Sequence, residues 1–140
     1  MKIYDASNQI IGRFATVIAK QLLNGEKIAI VNAEMAVLSG SPKLKVANYL
    51  QKVHRGDPHH GPFFPKQPDL ILRRTIRGML PWDRTRGRNA YKNLRVYIGV
   101  PEEFQGKQFE KVSLADASKL KIKSITLGEL SIQLGAKKRW

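Results

Sequence analysis

The order of the elements in the first forty residues predicts an α/β fold. Residues 2–6, "KIYDA", are typical of a short strand that ends in the turn formers Ser7 and Asn8. Apolar residues then recur at helical spacing until Asn24–Gly25, where glycine suits the end of a helix. Residues 27–33, "KIAIVNA", form an apolar, β-branched run typical of a strand buried on both faces. Strand, helix and strand within about thirty residues indicate a βαβ unit with a parallel pair and a right-handed crossover.

Length and composition limit the class of protein. At 140 residues the chain predicts one domain, residues 1–140, large enough to fold without disulfides. It has no cysteine, which excludes thiolate metal sites and fits a reducing compartment. No apolar run approaches the roughly 18 residues of a membrane span, and the first residues lack the apolar core of a signal peptide. These features predict a cytoplasmic protein.

The charge is high and unevenly distributed. The chain has 25 Lys and Arg against 11 Asp and Glu, a net charge of +14. Residues 41–100 alone carry thirteen basic and three acidic side chains. The positive charges in this block repel one another unless a polyanion neutralises them. A polyanionic partner is therefore indicated, either nucleic acid or an anionic membrane. The block is rich in arginine, is interrupted by Gly and Pro, and contains no lipidation motif, so nucleic acid is favoured.

A small-molecule nucleotide site would be an alternative use of a βαβ unit. The first turn, "DASNQIIGRFA", has one glycine where the dinucleotide fingerprint needs three. The segment "SGSPK", residues 39–43, lacks the spacing of a phosphate loop. It is better explained as a turn leading into a helix that begins at Pro42.

Residues 42–53 predict a helix whose lysines lie outside its apolar stripe. The next segment, "HRGDPHHGPFFPKQP", predicts a long irregular loop in which Phe63 and Phe64 require burial or a stacking partner. His54, Asp57, His59 and His60 raise the hypothesis of a zinc site. Adjacent histidines on a Pro- and Gly-rich loop rarely converge on one ion, so contact with phosphates or bases is the favoured interpretation.

A helix from Pro68 to about Leu80 follows. At 100° per residue, its two faces differ in chemistry. The apolar side gathers Leu72, Thr75, Ile76, Met79 and the more peripheral Leu80, and the other side gathers Arg73, Arg74 and Arg77. A solvated face would usually mix Lys, Glu and Arg, whereas arginine alone indicates a target that rewards forked hydrogen bonds, which is phosphate.

The segment "WDRTRGR" predicts a loop in which Arg84, Arg86 and Arg88 follow an irregular backbone beside Gly87. Trp82 could stack on a base, but covering the core is the favoured role for a lone tryptophan. A short helix over Asn89–Leu94 and a strand, "RVYIG", are predicted to follow. Arg73, Arg74, Arg77, Arg84, Arg86 and Arg88, the six-arginine cluster, are expected to form one continuous surface.

Several segments in this order resemble the universal L13 family of large-subunit ribosomal proteins. They are "IGRFA", "IVNAEMAVLSG", "GPFFPKQP" and "TIRGMLPWDRTRGRNAYKNLRVYIGVP", and the resemblance covers about residues 3–101. The segment "ITLGELSIQLG" looks like the C-terminal helix of archaeal and eukaryotic members, with Thr126 and Glu129 placed as a capping box. The chain thus resembles an archaeal-type member.

The resemblance implies a three-layer α/β/α domain with a mostly parallel four-stranded sheet. It implies binding to large-subunit ribosomal RNA during assembly, next to other large-subunit ribosomal proteins, with no catalysis, cofactor, metal or small-molecule substrate. Two alternatives stay open: a nucleotide-dependent enzyme on an α/β scaffold, and a free protein that regulates translation by binding a messenger RNA. The predicted RNA contacts are Lys43, Lys45, Lys52, His54, Arg55, His59, His60, Arg73, Arg74, Arg77, Arg84, Arg86, Gly87, Arg88 and Lys92.

Overall fold

The structure, a computed structural model, describes residues 1–140. Its strands are β1 (Lys2–Asp5), β2 (Ile28–Val31), β3 (Val37–Ser39), β4 (Leu94–Val96) and β5 (Ser124–Thr126). Its α-helices are α1 (Ile11–Leu23), α2 (Pro42–His54), α3 (Pro68–Gly78), α4 (Thr85–Lys92) and α5 (Leu127–Gln133). None of these helices combines the length and apolar character needed to cross a bilayer.

Two sheets organise the chain. The main sheet has the order β1-β2-β4 with all strands parallel, and Lys2 aligns with Ile28, which aligns with Leu94. This confirms the α/β class and the predicted βαβ unit. The sheet has three strands where four were expected, and β3 lies outside it, paired antiparallel with β5 in a second sheet. Only a single parallel bridge, between Tyr4 and Glu110, extends the sheet beyond β1.

The two faces of the main sheet are covered differently. Tyr4, Ile28 and Ile30 belong to the larger hydrophobic cluster, which also takes in or contacts the apolar residues of all five α-helices. The opposite face is covered by Tyr97, Val100, Phe104 and Phe109, from a loop with one 3₁₀ turn at Glu102–Phe104. A loop therefore stands where the resemblance implied a second helical layer.

Helix α3 follows its predicted division into faces. Ile71, Leu72 and Ile76 are buried, and the helix begins at Pro68 as expected. The prediction was wrong about Met79, which is 41% exposed, whereas Leu80 belongs to the apolar side as predicted but is buried at 5% exposure rather than peripheral. Helix α3 ends at Gly78, so the 100° period no longer determines where these side chains point.

Helix α4 was predicted too late in the chain. It begins at Thr85 rather than Asn89, and the strand after it is shorter than "RVYIG". Gly87 lies inside the helix, where its missing side chain lets the first turn approach the carbonyl of Pro81. The glycine that suggested a loop is therefore a packing residue. One half of the predicted capping box of α5 is confirmed, because the Thr126 hydroxyl accepts a 3.3 Å hydrogen bond from the Glu129 N–H.

Candidate nucleic-acid interface

Two arginines of α3 lie over one pair of aromatic rings. The Cζ atom of Arg73 is 4.5 Å from the ring centroid of Tyr91, and that of Arg77 is 4.3 Å from Trp82. The two rings pack edge to face with their centroids 5.1 Å apart. Guanidinium groups at this distance from a ring face are attracted to it without losing their charge. The pair thus holds two positive charges in place.

A second aromatic pair supports two further cations. Tyr49 and Phe64 pack edge to face at 5.8 Å, linking α2 to the loop before α3. The Nζ of Lys52 is 4.7 Å from the Tyr49 centroid, and the Cζ of Arg74 is 5.3 Å from that of Phe64. Arg74 also donates a 3.4 Å hydrogen bond to the carbonyl of Phe63. Burial raises the pKa of the Tyr49 hydroxyl.

Acidic side chains do not neutralise the six-arginine cluster. The ion pairs of the protein are Lys2–Glu26, His60–Asp57 and Lys111–Asp5, and none includes an arginine. Aromatic rings and backbone carbonyls take the place that carboxylates would have on an ordinary surface. The positive charge of the cluster is consequently not compensated by ion pairs within the protein.

The arginines after α3 lie on a helix and at its start. Arg88 donates from Nε to the carbonyl of Trp82 at 2.9 Å and from Nη2 to that of Asp83 at 3.0 Å. Arg86 lies on α4, and Arg84 precedes its first residue; both are exposed. The predicted irregular loop for these three residues was wrong, since a regular helix carries two of them.

Asp57 organises the loop between α2 and α3. Its backbone exchanges two hydrogen bonds with Gly61, and its carboxylate accepts a 2.8 Å bond from the N–H of His59. The other carboxylate oxygen lies 3.6 Å from Nδ1 of His60. No three His, Asp or Glu side chains are arranged in a way that could hold a metal ion. His54 and Arg55 line a groove with both phenylalanines and Lys66, whereas His59 and His60 are exposed at the loop tip.

The predicted contact residues do not all share one site. Lys43 lies in a separate groove between α2 and α5, beside Glu129, and Lys45 lines another groove with Arg13. Lys92 shares a groove beside β4 with Arg73. Gly87, also predicted as an RNA contact, is buried and packs against Pro81.

Sequence reasoning missed the aromatic supports. Tyr49, Phe64 and Tyr91 were not among the predicted site residues, although each lies within 6 Å of a cationic group. Trp82, expected to cover the core, is 38% exposed and supports Arg77 instead. The available signal was the presence of aromatic residues within or beside the basic segments, which does not specify which ring meets which cation.

The chain also resembles known proteins over most of its length. Residues 1–103 match the family described as Ribosomal protein L13. The chain belongs to this family.

Three relatives are each named "Large ribosomal subunit protein uL13". The Archaeoglobus fulgidus protein is 50% identical over 135 residues, which is 95% of this chain and 86% of the relative. The Methanosarcina barkeri protein is 50% identical over 141 residues, 98% of this chain and 99% of the relative. The Methanopyrus kandleri protein is 49% identical over 136 residues, with 95% and 86% covered. These archaeal relatives confirm the resemblance to an archaeal-type L13 protein.

In this member of the L13 family, the segment "RGMLP" joins the two arginine-bearing helices. Arg77 contacts Trp82, and Gly78 ends α3. Leu80 is buried in the larger cluster, and the carbonyl of Pro81 meets Gly87 of α4. The segment thereby sets the position of α4, and with it Arg86 and Arg88, relative to α3.

Proposed function

We propose that this protein is a structural constituent of the large ribosomal subunit that binds large-subunit ribosomal RNA and supports its assembly. It would act in the cytoplasm, beside other ribosomal proteins, with no reaction of its own. The names of its relatives support the proposed place of the protein in the large ribosomal subunit. The observation that supports RNA binding is the mounting of the arginines on aromatic rings and carbonyls without any acidic partner.

The proposed contact is made chiefly with phosphates. Each cation that meets a phosphate releases counterions from the RNA, and this release drives association. Arg73, Arg74 and Arg77 lie at fixed spacing on one helix and are held by Tyr91, Phe64 and Trp82. Holding the guanidinium groups before binding reduces the side-chain entropy that association costs. A rigid arrangement of this kind suits recognition of RNA shape and backbone path rather than base sequence.

The test compares two pairs of charge removals. Binding to in-vitro-transcribed large-subunit ribosomal RNA is measured against salt for the wild type, for Arg73→Ala with Arg77→Ala, and for Lys119→Ala with Lys121→Ala. Both double variants lose two charges, but the two lysines are exposed and lie outside the cluster. In the arginine variant, the plot of log K against log salt should be less steep. Its slope should shrink in magnitude by roughly 0.7–0.9 for each lost phosphate contact.

The control should retain nearly the wild-type slope, and circular dichroism should show that both variants are folded. Equal losses in the two double variants would indicate unspecific charge attraction and contradict the proposed interface. Failure of the wild-type protein to bind this RNA at all would contradict the proposed function.

A further inference from the structure

An open groove runs between the loop at residues 63–65 and helix α3. Its volume is about 280 Å³, close to the lower end of ligand sites, which span roughly 300–1,000 Å³. The lining residues are Phe63, Phe64, Pro65, Leu70, Arg73, Arg74, Arg77 and Tyr91. Three guanidinium groups thus border a small space with aromatic and aliphatic walls.

Phe63 is the unusual member of this lining. It is 67% exposed, whereas its neighbour Phe64 is partly buried against Tyr49. Its position is nevertheless defined: the carbonyl of Phe63 accepts a hydrogen bond from Arg74, and its ring lies close to Gly61. A Cβ at Gly61 would be only 3.1 Å from the ring atom Cε2. The structure therefore presents the phenyl ring of Phe63 to solvent in a groove that is lined by three arginines.

We propose that the groove binds one unpaired RNA nucleotide, with its base stacked on Phe63 and its phosphate held by Arg74 and Arg77. The inference rests on the RNA-binding function proposed above and deepens it. Unpaired bases in loops and bulges stack on exposed aromatic side chains and on guanidinium planes. Paired bases within a helix cannot present a face to such a ring. The groove would distinguish an extruded nucleotide from a helical one without reading which base it is.

The charge of the groove favours a nucleotide over a peptide. Its lining contains three arginines and no acidic residue, and an acidic peptide would meet those charges through carboxylates alone. A nucleotide offers both a phosphate for the forked donors and a flat apolar surface for Phe63. The small volume also suits one nucleotide better than an extended chain.

The first test separates stacking from charge. Affinity for in-vitro-transcribed large-subunit ribosomal RNA is measured for the wild type, Phe63→Ala, Phe63→Trp and the control Leu114→Ala. Leu114 is 63% exposed, similar to Phe63, and does not line the groove. Phe63→Ala should bind about 5- to 150-fold more weakly, the range found for single base–aromatic stacks, with an unchanged salt slope. Phe63→Trp should bind at least as tightly as the wild type, and Leu114→Ala should match it.

The second test locates the base. At saturating protein, an unpaired nucleotide should be protected from base-modifying reagents by the wild type but not by Phe63→Ala. Backbone protection from hydroxyl radicals should be the same with both proteins. The inference would be overturned if Phe63→Ala bound with wild-type affinity and protected the same bases from modification as the wild type. The proposed function would still stand in that case. Absence of binding by the wild type would overturn both.

A third measurement uses the assembled particle. Large subunits are assembled with a protein that carries p-benzoylphenylalanine in place of Phe63. This residue should form a cross-link to one unpaired ribosomal RNA nucleotide. A cross-link to another protein, or to paired nucleotides only, would overturn the inference in favour of a different occupant.

Discussion

The same substitution, glycine to alanine, should have opposite effects at two helical positions. Gly12 and Gly87 both lie in the first turn of a helix, α1 and α4 respectively. A Cβ at Gly12 would meet no atom within 4 Å, whereas one at Gly87 would overlap the carbonyl group of Pro81. Neither glycine has a positive φ, so backbone strain does not contribute to the difference.

The size of each stability change follows from helix propensity and from packing. Alanine is favoured over glycine by up to about 1 kcal/mol in a helix, so Gly12→Ala should stabilise the protein by roughly 0.5–1 kcal/mol. At Gly87 the new methyl group presses on backbone, which cannot rotate away as a side chain can. Overpacking typically costs about 1–3 kcal/mol, which outweighs the propensity gain. We expect Gly87→Ala to lower the free energy of unfolding by roughly 2 kcal/mol.

Thermal and urea unfolding of the two variants measure this difference. For a chain of this size, 1 kcal/mol corresponds to roughly 4 °C in Tm, so Gly87→Ala should melt about 8 °C lower. Gly12→Ala should melt about 2–4 °C higher than the wild type. Gly87→Ala should also weaken RNA binding, because Arg86 and Arg88 move with α4. A Gly87→Ala protein as stable as the wild type would refute the close packing of α4 on Pro81.

Three further substitutions test the core, a cap and a partly buried carboxylate. Ile76→Ala should cost roughly 2–5 kcal/mol because the side chain is fully buried, while exposed Leu44→Ala should cost little in the same urea titration. Thr126→Ala should cost about 0.5–2 kcal/mol, and Ser41→Ala much less, since Ser41 makes no capping hydrogen bond; equal losses would contradict the cap. Burial acts to raise the pKa of Asp5, but hydrogen bonds from Ser7 and Asn32 outweigh it and lower this pKa overall. The stability that Asp5 contributes is therefore present above its unfolded pKa and lost as pH falls through the lowered folded value. The stability difference between wild type and Asp5→Asn should be largest above about pH 5 and shrink below pH 4 in acid titrations; a difference independent of pH would contradict this role.

The sequence by itself determined the elements whose signals are local. Pro42 and Pro68 each stand at the first residue of a helix, as predicted, and Gly25 follows α1 with a φ of +91°. The apolar period of α3 placed Ile76 inward and its arginines outward. These features depend on residues within one or two turns of each other, so pattern and propensity are sufficient to predict them.

Only the tertiary structure decided the contacts between residues that are far apart in the chain. Val37 of β3 pairs with Thr126 of β5 in a second sheet, and no local pattern in either segment specifies the other. Whether Gly87 marks a loop or a close helix contact depended on Pro81 lying against it. Likewise, the clustering of arginines indicated a basic surface but not that Tyr91 and Phe64 support separate guanidinium groups. Such pairings are set by how α2, α3 and α4 pack on one core, because packing brings together side chains that the sequence keeps apart.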